Sequence, residues 1–127
     1  MFIHYNPNPD KKTVGDCVIR ALTLAFPDHN SWENIYADLT MLGHFEHDMP
    51  NSNSVWGLYL MMNGYTREII PDTCPDCYTI NDFANEHPYG TYILATGSHV
   101  VGVVDGNYYD TSDSGREVPI YYFRKER

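Results

Sequence analysis

Basic residues are scarce in this chain, where eight Lys and Arg stand against seventeen Asp and Glu for a formal charge of -9. Such a field repels phosphate backbones and anionic bilayers. The one basic cluster, Arg124, Lys125 and Arg127, reads as a solvated tail, so neither nucleic acid nor membrane is an expected partner. Long apolar runs are missing too. No stretch approaches the roughly 20 residues of a membrane span, and the opening MFIHYNPNPDKK lacks the cationic start and apolar run of a secretory leader, which points to a cytoplasmic protein. Cysteine is limited to three, an odd number that builds no disulfide framework, leaves at least one thiol free and suits a reducing compartment. With no internal repeat or low-complexity tract at which to divide the chain, residues 1–127 read as one domain, long enough to bury a core without staples.

Tyrosine, by contrast, is abundant, with eleven in all. Tyr-rich surfaces often bind partners, yet Tyr92, Tyr108, Tyr109, Tyr121 and Tyr122 fall at strand positions where rings serve packing. After an irregular Asn/Pro-rich segment at residues 4–12 comes GDCVIRALTLAF, in which Val18, Ala21, Leu22, Ala25 and Phe26 recur at helical spacing. Asp16 is its expected N-cap, Gly15 lets the chain turn into it and Pro27 stops it. A second helix is expected from near Asn30, with Glu33 completing a capping box, a stripe of Trp32, Ile35, Tyr36, Leu39 and Leu42, and Gly43 as its end. Residues 44–54 have loop composition. A third helix spans about Val55 to Asn63, closed by Gly64, and residues 65–70 read as a short strand. Thr79 caps a short helix through Phe83.

From Gly90 the period changes to that of a sheet, in the runs TYILAT, SHVVGVVD, NYYDT and VPIYYF. Asp105-Gly106 between two of them is a strong hairpin signal. Helices first and strands second is the α+β pattern, with N-terminal helices packed on a C-terminal antiparallel sheet.

Cys17 at the first turn of its helix feels the positive end of the helix dipole, which favours thiolate. A nucleophile there needs a base and a group to orient the base. His99 opens its strand, with Val101 and Val103 on its own face and Val100 and Val104 on the other. A type I′ turn would pair Val104 with Asn107 and make Asp110 the diagonal neighbour of His99, whereas a three-residue loop would pair His99 with Asp113. The third member is therefore Asp110, with Asp113 as the alternative.

A Cys at the start of the first long helix, then a His on a strand and an Asp on the next, resembles the papain-like cysteine peptidase superfamily. GDCVIRAL followed by SHVVGVVDGNYYDTSDSG is similar to small phage- and bacterium-encoded members, akin to bacteriocin-processing peptidases and to Josephin-type or ovarian-tumour-type deubiquitinases. The two motifs together span residues 15–115. The resemblance implies a papain-like fold and a thiol hydrolase acting on a protein or peptide substrate. Cys17 would attack, His99 would act as base and then acid, and Asp110 or Asp113 would orient it. Papain-like peptidases usually take an oxyanion donor from a Gln before the Cys, and this chain has no Gln. The Cys17 backbone N–H supplies one donor, and the second would come from Asn6, Asn8, Lys11 or Lys12. No metal or organic cofactor is implied. The missing Gln and the many tyrosines also suit an alternative, an inactive papain-like module that binds a host protein as an inhibitor or adaptor.

Cys74 and Cys77 form a CxxC pair, which is half of a tetrahedral zinc site that His44, His47 or His87 would have to complete. No second Cys pair or finger-like His pair follows, and the βαβ context of a redox CxxC is missing, so the favoured reading is two loop thiols.

Overall fold

The computed structural model describes residues 1–28 and 31–125, and four of its six strands follow the change of period near Gly90, while two precede it. In chain order the elements are β1 (Phe2–His4), α1 (Cys17–Ala25), α2 (Trp32–Glu46), α3 (Asn53–Met62), β2 (Tyr65–Ile69), α4 (Ile80–Glu86), β3 (Thr91–Ala95), β4 (Val100–Val104), β5 (Asn107–Asp110) and β6 (Tyr121–Lys125). The six strands form one sheet in the order β1-β5-β4-β3-β6-β2. The architecture is α+β with a mixed sheet. Antiparallel pairing holds throughout except between β1 and β5, which run parallel. That pair corrects the expectation of a wholly antiparallel sheet and takes His4 out of the irregular segment, which holds over residues 5–12. Three residues are too few to show an alternating pattern, and the partner of β1 lies about a hundred residues away.

The Asp105-Gly106 hairpin forms as expected. Asp105 and Gly106 have φ of 49° and 83°, the two positive values a type I′ turn demands, and Val104 pairs with Asn107. Alternation along the strands splits the core into two layers. Ile93, Ala95, Val100, Tyr121 and Phe123 face α1, α2 and α3, while Leu94, Val101, Val103 and Tyr108 face α4 on the other side. A Cβ on Gly102 would stand 2.5 Å from Leu24 Cδ1, so the bare backbone there lets α1 settle on β4.

Several helix ends differ from the pattern-based expectation. The expected start of α2 at Asn30 lies outside the described residues; the N-cap is Ser31, whose Oγ accepts from the Asn34 N–H at 3.3 Å. Asn34, not Glu33, thus occupies the third helical position. The helix also runs past Gly43 to Glu46, so His44 is helical, and the left-handed residue at its end is His47, with φ 56°. Gly43 serves packing instead of termination. Its missing Cβ would lie 2.7 Å from the Asp48 carbonyl oxygen, where the loop doubles back on the helix. α3 begins at Asn53, and α4 continues beyond Phe83 to Glu86 behind a capping box between Thr79 and Asp82. Tyr36, placed in the apolar stripe of α2, is exposed and lies against the Trp32 ring. Arg127 lies outside the described residues, while Arg124 pairs with Glu68 at 3.1 Å. Among the described residues no helix is long and apolar enough to cross a membrane.

Candidate active site

Cys17 is the first residue of α1, half-buried at the end of the helix that packs on β4. The Asp16 carboxylate does not cap this helix as expected. It pairs instead with the Arg20 guanidinium one turn on, and its other oxygen accepts from Trp32 Nε1 at 2.9 Å. Burial explains the choice. Asp16 and Arg20 are both removed from water, where an ion pair with further hydrogen bonds satisfies a carboxylate better than one cap bond would.

His99 stands one residue before β4, at the end of the sheet. Val101 and Val103 pack in the α4 layer and Val100 in the α1 layer, but His99 precedes the strand and alternation does not commit its ring. Its backbone is pinned by the Thr96 N–H, which donates to the His99 carbonyl at 2.8 Å. The ring interacts with the Cys17 thiol on one side, and on the other Nε2 lies 2.6 Å from Asp110 Oδ2. Nε2 is thereby committed to Asp110, which leaves Nδ1 as the ring nitrogen available to the thiol. The Val100 N–H also donates to Cys17.

Asp110 closes β5 and is 3% exposed. Its Oδ2 accepts from Ser114 Oγ at 2.8 Å as well as from His99, and its Oδ1 accepts from the Thr111 N–H at 2.7 Å and from Arg20 Nη2 at 3.2 Å. Asp113, the alternative third member, is engaged elsewhere. It accepts from the Tyr108 hydroxyl at 2.6 Å and from the Gly115 N–H at 2.9 Å, as a loop-ordering residue does. Arg20 and Ser114 were not singled out in the sequence, and Trp32 only as part of the α2 stripe. Arg20 could have been found as the i+4 partner of Asp16, whereas nothing local marks Ser114.

The electrostatics follow from this chain of contacts. Burial pushes the Cys17 thiol up, but the hydrogen bonds from His99 and the Val100 N–H, with the positive charges of His99 and Arg20, outweigh it and hold the thiol below its ordinary value. His99 is raised to about 10, first by its hydrogen bond to Asp110 and next by that to Cys17. Burial acts to raise Asp110 as well, yet the bonds from His99, Ser114 and the Thr111 N–H bring it to about 2. A thiolate, an imidazolium and a carboxylate in line are the charge states these contacts favour. The His99 side chain keeps 22% of its surface open, so the thiol–imidazole junction is within reach of a bound molecule.

The expected oxyanion donors are occupied differently. The Asn6 amide nitrogen donates to the Lys12 carbonyl at 3.2 Å, and Lys11 Nζ donates to the Asn6 carbonyl at 3.0 Å. Buried Asn8 accepts from the Asp10 and Lys12 N–H groups at 2.9 and 3.4 Å. These residues knit the N-terminal loop together, and the Lys12 carbonyl takes one of the two Asn6 amide hydrogens. The Cys17 N–H, first of its helix, has no intrahelical acceptor.

Cys74 and Cys77 are joined to each other in a disulfide with Cα atoms 4.1 Å apart, which corrects the reading of two loop thiols and closes the pair to zinc. Cys17 is the free cysteine. His87, a possible fourth zinc ligand, stacks on Phe83 at 3.7 Å between centroids, with Nδ1 2.7 Å from the Phe83 carbonyl. Among the described residues no group of three or more His, Cys, Asp and Glu side chains could hold a metal ion. A cavity of about 620 Å³ among Thr79, Asn81, Tyr108, Asp113 and Arg116 is polar and is lined by neither Cys17 nor His99. No family model, curated protein or solved structure matches the chain.

Proposed function

We propose that the protein is a papain-like thiol hydrolase, a cysteine peptidase or isopeptidase that cleaves an amide, isopeptide or thioester bond in a protein or peptide. The observation that carries this reading is the Asp110–His99 pair, 2.6 Å between Oδ2 and Nε2, beside a thiol at a helix N-terminus whose pKa His99 lowers. The Cys17 thiolate attacks the carbonyl carbon, and the π pair moves to oxygen, where the Cys17 N–H and the α1 dipole meet the developing charge. Collapse breaks the C–N bond while His99 Nδ1 gives its proton to the departing amine, leaving a thioester. His99 then takes a proton from water as the water oxygen attacks the thioester. Collapse of this second intermediate returns the thiolate and releases the acid. Asp110 stays ionised throughout and keeps Nδ1 aimed at the sulfur.

The first test is the pH dependence of iodoacetamide alkylation at Cys17, read by mass spectrometry in the wild type and in His99→Ala. The expected apparent pKa lies well below the roughly 8.5 of a free thiol and rises when His99 is removed. An ordinary value indifferent to His99 would sink the reading. The engagement of the Asn6 amide with Lys12 favours a second reading, a non-catalytic module that keeps the fold and captures a protein partner. That module predicts the ordinary thiol.

A further inference from the structure

The stretch CPDC, residues 74–77, takes no part in the arrangement of Cys17, His99 and Asp110, and its two sulfurs are bonded to each other in the loop between β2 and α4. Residues 71–76 are exposed and Cys77 is half-buried, and neither cysteine belongs to the apolar layers on the two faces of the sheet. A cross-link stabilises chiefly through the loop it closes in the unfolded chain, and these cysteines are only three positions apart. As a staple the bond contributes little.

The loop is also held without it. At one end Ile70 packs in the α4 layer, and its N–H donates to the Ile120 carbonyl at 3.0 Å. At the other end Tyr78 packs in the same layer, its hydroxyl donates to Glu86 Oε1 at 2.9 Å, and Thr79 opens the capping box of α4. Between them Thr73 Oγ1 donates to the Asp76 carbonyl at 2.7 Å, and the Cys74 N–H donates to Asp72 Oδ1 at 3.0 Å. None of these bonds involves sulfur. The turn therefore keeps Cys74 and Cys77 side by side whether or not their sulfurs are joined.

We propose that Cys74 and Cys77 form a second reactive site, at which the protein exchanges disulfides with small thiols that carry a positive charge. A thiolate attacks Cys74 Sγ, the sulfur of the more exposed residue, and the S–S bond breaks towards Cys77, which leaves as a thiolate and takes up a proton. A second thiolate then attacks the outer sulfur of the mixed disulfide. Cys74 departs and is protonated, and the two small thiols leave as one disulfide. The protein gains two electrons and two protons, and the thiols lose them. Run backwards, the dithiol reduces a small disulfide. The preference for a cation follows from PDTCPDCYT, residues 71–79, where Asp72 and Asp76 flank the pair and no Lys, Arg or His is present. This site does not depend on the thiol-hydrolase reading.

The test uses the full chain as Cys17→Ser, so that Cys74 and Cys77 are its only cysteines. Cysteamine or glutathione is added to the oxidised protein without denaturant, samples are quenched with N-ethylmaleimide, and the products are mapped by mass spectrometry. Each rate is divided by that thiol's rate with hydroxyethyl disulfide. Both thiols are expected to open the bond, cysteamine at least about threefold faster at low salt. The mixed disulfide should sit on Cys74 with Cys77 alkylated, and the reduced protein should keep its near-ultraviolet circular dichroism. Replacing Asp72 and Asp76 together by Asn, which leaves an oxygen to accept from the Cys74 N–H, should close the gap between the two thiols. A bond that opens only in denaturant, or whose reduction unfolds the chain, would be a structural staple and would overturn the proposal. Equal rates in the Cys17→Ser protein, or a gap that survives in the double variant, would overturn the selection by charge.

Discussion

Arg20 places its Nη2 3.2 Å from Asp110 Oδ1 and its Nη1 against the Asp16 carboxylate, so one guanidinium on the nucleophile's own helix spans two buried acids. The three side chains are each less than a tenth exposed. The pairing ties α1, which carries the thiol, to β5, which carries the residue that orients the base. The position of Cys17 relative to Asp110 is thereby set by an ion pair as well as by core packing.

Replacing Arg20 with Met should leave the buried Asp16 carboxylate without its charged partner and Asp110 with His99 alone as a charged one. Breaking a buried pair by removing one partner costs about 3 kcal/mol or more. Urea denaturation should show the midpoint falling by that much stability. Arg20→Lys should recover only part, because an ammonium does not fork between two carboxylates as a guanidinium does.

Asp110→Asn removes the largest cause of the raised His99 value, so the imidazole should fall from about 10 towards its ordinary 6.5. The Cys17 thiol should rise with it, since the imidazolium charge lowers it. Both shifts can be followed by histidine ring NMR and by the alkylation profile. Persistence of the wild-type values would show that Asp110 does not govern the base.

Asp113→Asn provides the contrast. Asp113 bonds Tyr108 and Gly115, not His99, so this variant should leave the pH profile of Cys17 alkylation unchanged and register only as a modest loss of stability. A profile that moved as far as in Asp110→Asn would reverse the assignment of the two acids.

Stability should vary with pH at both ends. Asp110 is lowered in the folded state from 3.8 to about 2, so its contribution is whole above its unfolded value and is lost as pH falls through about 2. That contribution is about 2 kcal/mol, shared with its partners. His99 is raised from 6.5 to about 10, so its contribution is whole below 6.5 and is lost as pH rises through about 10. Both are intact only between about pH 4 and 6.5. Unfolding free energies measured across this range should show a plateau there that is lower but extends further to the alkaline side in His99→Ala.

Gly43→Ala should be destabilising although alanine is the better helix former. The added Cβ would meet the Asp48 carbonyl oxygen at 2.7 Å, a backbone atom unable to yield as a flexible side chain would. Overpacking of this kind costs about 1–3 kcal/mol. A thermal melt showing no loss would mean that the loop moves aside freely.

The sequence by itself determined the layout. The period of apolar residues set α1 and the run of strands, Thr79 set the start of α4, and Asp105-Gly106 set the hairpin whose register carries Asp110 towards His99. These are local properties, decided by backbone sterics and by side chains a few residues apart. Tertiary structure decided what depends on residues far apart in the chain. β1 exists because β5 offers its edge, Gly43 lies inside a helix because a loop returns over it, and Asp16 leaves its cap because Arg20 and Trp32 are buried beside it. The choice of Asp110 over Asp113 was open in the sequence for the same reason. It turns on which acid the sheet brings to a histidine eleven residues away and on Arg20, ninety residues distant, and such proximity is a property of the packed chain.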